Sequence, residues 1–154
     1  MDGSTAKDAL TMGVALLGAA LGVMNTWHSM NQQRVRIRVT PHFATDLDGQ
    51  PLGVTIEVIN LSVFPVTIAE AGFACGGGRA PIQLPQIVNG GTLPVRIQPR
   101  EAISVWLDLA NFGVPKDKIG DAYARTACGR VIYGNSPAGR QFSTMMEEIG
   151  ARRR

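Results

Sequence analysis

The stretch "GVTIEVINLSVFPVTI", residues 53–68, decides the fold because it carries two short runs of alternating side chains. In the first run every second residue from Val54 to Val58 is apolar, and the residues between them are polar. The second run begins after a proline and again places apolar side chains, Val66 and Ile68, two residues apart. A period of two is typical of a strand with one face in a core. The stretch therefore predicts two β-strands with a short connection.

The same alternation recurs along the rest of the domain, giving about seven short strands with turn signals between them. The further runs are "RVRIRV" (34–39), "LPVRIQP" (93–99), "AISVWLDL" (102–109) and "AYARTACGRVIYG" (122–134). We expect "PRE" (99–101) to be a tight hairpin, and a second hairpin to turn at Cys128-Gly129. Strands never alternate with long helical patterns, which argues against a parallel α/β sheet. The sequence predicts an all-β fold, a single antiparallel immunoglobulin-like β-sandwich over residues 34–136.

Residues 137–154 predict a short C-terminal helix that ends in a basic tail. Its apolar side chains, Phe142, Met145, Met146 and Ile149, recur at helical spacing and are expected to pack on the domain. The final "RRR" could touch anionic lipid or nucleic acid. A solvated chain end is the preferred interpretation, and a nucleic-acid partner is not expected.

The N-terminal stretch "ALTMGVALLGAALGVMNTW", Ala9 to Trp27, has the length and composition of a membrane span. No Asp, Glu, Lys or Arg lies between Asp8 and Arg34, although 18% of the chain is charged. About 20 apolar helical residues cross the hydrocarbon core of a bilayer. We expect an N-terminal tail over residues 1–8 and a transmembrane helix over 9–30, with 9–27 in contact with the lipid bilayer.

The apolar N-terminal segment has two alternatives to a membrane span, a cleaved signal peptide and a helix buried in a protein assembly. A signal peptide would need a positive start and a small-residue cleavage site, and "MDGSTAKDAL" and "NTWHSMNQQRVR" supply neither. The buried helix stays open as an alternative. Gly18 and Gly22 form a GxxxG spacing, which predicts helix–helix contact and self-association.

Basic residues flank the span unequally, which bears on topology. Lys7 precedes it, whereas Arg34, Arg36 and Arg38 follow within 15 residues. The positive-inside rule then predicts a single-pass protein with its domain on the cytoplasmic side of a bacterial inner membrane. The same arginines alternate with apolar residues, as the outer face of a strand would, and this weakens the topology signal. They are also candidate partner contacts.

Few residues suggest a site. Trp106 is expected to face outward from its strand, either covered by arginine stems within the domain or in contact with a partner. Cys75 and Cys128 could form one disulfide outside the cytoplasm if their loops share an end of the sandwich, and would stay reduced inside it. Neither His28 nor His42 shares a ligand spacing with a cysteine. We expect no cofactor, no metal and no catalytic activity.

The phrases "EVINLSVFPVTIAEAGF" (57–73), "RIQPREAISVWLDL" (96–109) and "AYARTACGR" (122–130) carry a resemblance to a family. The chain resembles a broad group of uncharacterised bacterial and phage-type proteins, in which an N-terminal hydrophobic helix precedes a small β-sandwich. The resemblance implies that fold and a membrane-proximal layout, and it implies no activity. The matching residues are Asn60, Ser62, Pro65 to Ile68, Gln98, Pro99, Tyr123, Thr126 and Gly129.

Structural roles explain these matching residues. Asn60 and Ser62 are expected to cap a turn, and Tyr123 to place its ring in the core with its hydroxyl on the backbone.

The expected function is that of a membrane-anchored binding module that meets an unknown protein partner near the bilayer. The alternative is a structural subunit of a multi-protein, phage-related assembly, with the apolar helix packed in a subunit interface.

Overall fold

The computed structural model describes residues 3–32, 34–45, 51–88, 90–108 and 118–152. The chain divides into two compact units, Met1–Arg34 and Val35–Arg154. The first unit contains helix α1, Gly3–Gln32. The span predicted over 9–30 lies inside this helix. Most of the predicted tail is also helical, because Ala, Lys and Leu between residues 6 and 10 are good helix formers.

The second unit consists of nine strands and a helix among the described residues. In chain order they are β1 Ile37–Thr45, β2 Pro51–Asn60, β3 Val66–Cys75, β4 Gly78–Pro81, β5 Gln86–Ile87, β6 Val95–Ile97, β7 Ala102–Asp108, β8 Ile119–Thr126, β9 Val131–Gly134 and α2 Pro137–Arg152. Sheet A has the order β1-β2-β7-β5, and sheet B has the order β4-β3-β8-β9, with β6 also paired to β3. All of these pairs are antiparallel. The predicted arrangement is confirmed: two sheets of antiparallel strands, with one helix before them and a short helix after them in the chain.

The alternating stretch at residues 53–68 supplies the centre of the core. Val54, Ile56 and Val58 are at most 1% exposed in β2, and Ile68 in β3 is fully buried. Side chains from both sheets meet there, since Val105 of β7 and Ile97 of β6 are also fully buried. Burial of each such side chain contributes about 1.5–3 kcal/mol, so this layer is the main source of the domain's stability.

One predicted hairpin is wrong. Residues 98–101 connect β6, which pairs with β3 in sheet B, to β7, which pairs with β2 in sheet A. The segment is a tight turn, with the Glu101 amide donating to the Gln98 carbonyl oxygen at 3.2 Å and Arg100 at a φ of 64°. The turn connects the two sheets. Its residue types specify a reversal of the chain, but they do not specify which strand β7 pairs with.

The other predicted turn is confirmed, and a further hairpin was not predicted. Gly129 has a φ of 86° in the turn between β8 and β9, a conformation that glycine adopts without steric cost. In the "CGGGR" segment (75–79), Gly76 and Gly77 form the two-residue turn of a β3–β4 hairpin, with φ of 53° and 81°.

We call the end of the sandwich where β1 begins the proximal end. Register places three turns there, residues 61–65, 98–101 and 127–130. Asn60 anchors this end and is fully buried. Its Nδ2 donates to the carbonyl oxygens of Phe64, Ile97 and Gln98 at 2.8, 3.1 and 3.2 Å, and its Oδ1 accepts from the Ser62 amide at 2.9 Å. The predicted cap is confirmed, and it ties both sheets together.

Ser62 extends the same anchor to the first strand. Its Oγ accepts from the Arg36 amide at 2.8 Å and donates to the Arg36 carbonyl oxygen at 3.2 Å. The Leu61 amide also donates to that carbonyl oxygen, at 2.8 Å. The chain that leads into β1 is therefore fixed to the turn between β2 and β3.

Helix α2 packs over the opposite, distal end, where β8 begins. Phe142 is fully buried, with its ring 5.1 Å from that of Phe73 and 6.4 Å from that of Phe43. Ser143 Oγ donates to the Ile119 carbonyl oxygen at 2.6 Å, and Ser136 Oγ caps the helix by accepting from the Gly139 amide at 3.0 Å. The prediction that the Phe-Met stripe is a packing face is confirmed.

Candidate functional site

The outer face of sheet A carries Trp106 and one of the predicted arginines, Arg38. Arg34, Arg36 and Arg38 are all exposed, and the apolar residues between and after them pack towards the core. Arg38 lies opposite Ile59, while Trp106 lies in the row of Thr55 and His42. Arg38 and His42 mark the two rows in β1 and are four residues apart, so the rows are separated by about 13 Å. The structure therefore does not bring Trp106 and the arginines into one compact site.

Trp106 is partly covered by its own sheet. It lies between Thr55 of β2 and Gln86 of β5, on the face opposite to the buried Val105 and Leu107. A Cβ on Gly53 would approach the indole ring to 2.7 Å, so the ring rests on the glycine backbone. Gly53 thus supports one face of the ring, and cover by arginine stems stays a prediction. The contact of Trp106 with a partner stays a prediction.

A cluster that the sequence did not reveal lies on the outer face of sheet B. The Tyr123 hydroxyl donates to Glu70 Oε1 at 2.5 Å. Arg125 donates to Glu70 Oε2 through Nε at 3.0 Å and through Nη2 at 2.6 Å. The Arg79 guanidinium lies 5.9 Å from the centre of the Tyr123 ring, and the Tyr133 ring lies 6.1 Å from it. These five side chains form a connected layer on the sheet.

This cluster corrects the expectation for Tyr123. Its ring is fully buried, yet it lies outside the core between the sheets, over the position of Gly72, and its hydroxyl binds a carboxylate instead of the backbone. A Cβ on Gly72 would collide with the backbone of Ala80 in β4, so this glycine allows β4 to approach β3 closely beside the cluster. Tyr123 and Arg125 are two residues apart in β8, as outward residues are, but their pairing with Glu70 depends on register, which local sequence does not specify.

Electrostatics in the cluster favour a fixed ion pair over acid–base chemistry. The hydrogen bond from Tyr123 and the contact with Arg125 outweigh burial and hold the pKa of Glu70 below its usual range. Burial, with the hydrogen bond and charge of Glu70, raises the pKa of Tyr123. A general acid or base works best with a pKa near the working pH. Both pKa values are shifted away from neutral pH, so the cluster is suited to holding the strands of sheet B together.

The two cysteines lie at opposite ends of sheet B, and the possible disulfide between them is wrong within one chain. Cys75 pairs in register with Ile119 at the start of β8, whereas Cys128 follows the end of that strand. The length of β8, about 23 Å, separates them, and a disulfide needs Cα atoms within about 7 Å. The condition that their loops share one end of the sandwich is not met.

Cys128 has a distinct environment in the turn at the proximal end. Its Sγ lies 3.1 Å from the Thr126 hydroxyl, whose single proton has two acceptors within reach, this sulfur and the Arg130 carbonyl oxygen, also at 3.1 Å. This hydrogen bond and one from the Arg130 backbone lower the pKa of the exposed Cys128 thiol. A larger thiolate fraction makes such a thiol more reactive at neutral pH.

The predicted helix–helix contact lies on an open face of α1. A Cβ placed on Gly18 or Gly22 meets no atom within 4 Å in this chain. The role of the two glycines in self-association stays a prediction.

Within residues 3–152, apart from the undescribed gaps, no group of three or more His, Cys, Asp or Glu side chains could hold a metal ion. No known family model, curated protein or solved structure matches this chain.

Proposed function

We propose that this chain is a single-pass membrane protein whose β-sandwich is a binding module beside the bilayer, without catalytic activity of its own. In this proposal the domain lies on the cytoplasmic side of a bacterial inner membrane. The observation that carries it is helix α1, in which Leu10–Met30 is long and apolar enough to cross a membrane. A signal sequence near an N-terminus meets the same criterion, so an experiment has to separate the two.

The surface of α1 supports a lipid environment. The 21 residues from Leu10 to Met30 would span about 32 Å, against about 30 Å of hydrocarbon. Large apolar side chains such as Leu16 and Trp27 are 66% and 71% exposed, a state that water disfavours and lipid does not. The Thr11 and Thr26 hydroxyls donate to the carbonyl oxygens four residues earlier, so lipid would leave neither unsatisfied.

Strand order supports the immunoglobulin-like part of the proposal. Sheet A has the order β1-β2-β7-β5, and β3, β8 and β9 are neighbours in sheet B. Immunoglobulin constant-type domains order their first, second, fifth and fourth strands in one sheet, and their third, sixth and seventh in the other. The same arrangement results when β6 is counted as part of the connection to β7 and β4 as an additional edge strand of sheet B. Fold alone does not assign a partner, so the binding role rests on exposed residues.

The partner surface in this proposal is the outer face of sheet A around Trp106. A photoreactive residue at Ser104, on the same face and partly buried, is expected to cross-link to a protein in cells. The same group at the exposed Asp121 of sheet B is the matched control. Equal cross-linking from both positions would contradict the assignment of this face.

Membrane anchoring is tested by fractionation of the full-length chain. We expect it to stay with membranes after alkaline carbonate treatment, to require detergent for release, and to keep residues 1–32 when analysed by mass spectrometry. A chain that has lost these residues would support a cleaved signal. A full-length monomer that remains in solution without detergent would refute the anchor.

Topology is tested with Cys128, which is exposed, in a Cys75→Ala background. A membrane-impermeant maleimide should label it only after the inner membrane is permeabilised. Ser4→Cys in a background without the other two cysteines should show the opposite pattern, because it precedes the span. Labelling of Cys128 in intact spheroplasts would refute the cytoplasmic assignment.

The alternative, a structural subunit of a multi-protein assembly of phage type, is favoured by the open face around Gly18 and Gly22. A small-residue face lets a second helix approach closely. Replacing both glycines with Leu should abolish cross-linked oligomers, whereas Gly13→Leu, at an equally open position, should not. Oligomers that survive the double replacement would contradict a role for this face.

A further inference from the structure

The proximal end of the sandwich exposes apolar side chains on a rigid turn. In the turn between β2 and β3, Leu61 is 45% exposed and Val63 is 67% exposed. The backbone of this turn is fixed by the buried side chains of Asn60 and Ser62. The two apolar side chains are therefore held outward on a fixed support.

Arginines surround these apolar side chains. Arg100 and Arg130 lie in the other two turns of the proximal end, and Arg38 and Arg96 lie one or two residues inside the strands that reach it. All four are exposed, and in the part of the chain that the structure describes none of them forms an ion pair.

Acidic side chains are arranged in the opposite way. Glu101 is the acidic residue in the described turns of the proximal end, and it accepts a hydrogen bond from the Gln98 amide at 2.8 Å. Asp121, Glu147 and Glu148 belong to the start of β8 and to α2, at the distal end. Since Lys118 and Arg140 also lie at the distal end, and Lys118 pairs with Glu147, the charges there are mixed, whereas the proximal end is predominantly basic.

We propose that the proximal end docks on the anionic phospholipid headgroups of the bilayer in which α1 is anchored. Leu61 and Val63 enter the interfacial layer, and Arg100 and Arg130 bind headgroup phosphates. This inference rests on the proposed membrane anchor. The covalent chain favours it, since only residues 33–36 separate α1 from β1. A fully extended chain of that length reaches about 18 Å, so the start of β1 stays close to the lipid surface.

The expected contributions follow from general membrane energetics. Each arginine near an anionic surface contributes about 1 kcal/mol, a change of about fivefold in the docking equilibrium. An apolar side chain of this size, transferred in full, contributes about tenfold or more. Because the domain is tethered, these factors act on an intramolecular equilibrium, where even modest factors favour the docked state.

The test uses the full-length chain in vesicles, with an environment-sensitive fluorophore on Cys128 in a Cys75→Ala background. Vesicles of phosphatidylcholine containing about one third phosphatidylglycerol are compared with phosphatidylcholine alone. Lipids carrying a quencher at the headgroup should quench the fluorophore strongly in the anionic vesicles and weakly in the neutral ones. High salt should reduce the quenching, because it screens charges near the membrane surface. A fluorophore at Asp121→Cys, in a background without the native cysteines, should not be quenched.

Variants and their controls identify the surface. The double variant Arg100→Gln and Arg130→Gln should shift the docking equilibrium about 25-fold towards the undocked state. Arg140→Gln, at an exposed position of α2, should leave it unchanged. Val63→Ser should weaken docking in the same assay. Leu84→Ser is the control, because Leu84 is 85% exposed and precedes β5 on the side where β7 ends, and it should leave docking unchanged.

Flotation of the vesicles separates the two levels of the proposal. A chain that floats with vesicles but shows equal quenching at the two ends overturns the docking and leaves the anchor in place. A chain that does not float overturns the anchor and the docking together. Quenching that is independent of lipid charge and unaffected by the arginine double variant also overturns the docking.

Discussion

The replacement of Asn60 by alanine tests the anchor of the proximal end most directly. The side chain is fully buried and contacts three carbonyl oxygens and one amide. The carboxamide of Asn60 has two N–H groups, so the three carbonyl oxygens share two protons. Together with the bond that Oδ1 accepts from the Ser62 amide, the side chain makes the equivalent of about three hydrogen bonds. Loss of a partner for a buried polar group costs about 1–3 kcal/mol. The carbonyls of Phe64 and Gln98 are only partly buried and regain water, which limits the sum.

We therefore expect Asn60→Ala to lower the free energy of unfolding by about 3–5 kcal/mol, out of the roughly 5–15 kcal/mol of an ordinary domain. The assay is urea unfolding of the detergent-solubilised chain, followed by Trp106 fluorescence in a Trp27→Phe background. With a slope of about 1.5 kcal/mol per molar urea, the midpoint should fall by about 2–3 M at an unchanged slope. Gln98→Ala, at an exposed position of the neighbouring turn, is the matched control and should stay within about 0.5 kcal/mol. A loss below about 1 kcal/mol in Asn60→Ala would refute the reasoning.

Asn60→Asp adds a pH dependence to the same experiment. A carboxylate keeps the bond from the Ser62 amide but places negative charge against the carbonyl oxygens of Phe64 and Ile97. Its pKa in the folded state should therefore rise above the unfolded value of about 3.9. The variant should be least destabilised below the unfolded pKa and should lose stability as the pH rises through the folded pKa. A pH-independent difference from the wild-type chain would contradict this.

Three further predictions concern the distal end, the cluster on sheet B and the thiol of Cys128. Phe142→Ala removes a fully buried ring and should cost about 3–5 kcal/mol in the same unfolding assay, whereas Arg140→Ala at an exposed position of the same helix should be nearly neutral. The depressed pKa of Glu70 should stabilise the fold above its unfolded value of about 4.5, and this stabilisation should be lost as the pH falls through the folded pKa. Glu70→Gln should flatten that part of the stability profile, and an unchanged acid profile would argue against an ion pair of any consequence. Alkylation of Cys128 should proceed at lower pH than that of an ordinary thiol, and Thr126→Val should shift its profile upward while Thr126→Ser should not.

Sequence periodicity predicted the strands whose alternation is complete. Every second residue from Val54 to Val58 is buried because a strand with one face on a core requires it. The short strands β4 and β5, in contrast, were not predicted. "GRAP" and "QI" contain too few residues for a period to be visible, and they are strands because β3 and β7 offer them an edge. Their pairing is a tertiary effect that a local pattern does not contain.

The errors in the predicted site have a common cause in non-local geometry. The turn at residues 98–101 has hairpin chemistry but connects two sheets. The partners of Tyr123 depend on its register against Glu70, 53 residues away in the chain. The separation of Cys75 and Cys128 likewise depends on which end of the sheet each turn reaches. Residue types correctly predicted turns and outward positions. Distances between residues on different strands could not be predicted, because they depend on how the strands pair in the fold.

The two ends of the sandwich differ in a way that bears on both proposals. At the distal end, α2 covers the core with apolar side chains such as Phe142. In the described part of α2, no large apolar side chain is exposed. At the proximal end, the fold uses a buried amide and a buried hydroxyl to hold its turns, and it leaves Leu61 and Val63 exposed. A turn fixed by Asn60 and Ser62 holds these apolar side chains outward, which has a free-energy cost in water. In the proposed docked state a lipid headgroup layer removes that cost, and the arginines in the adjacent turns favour anionic lipid.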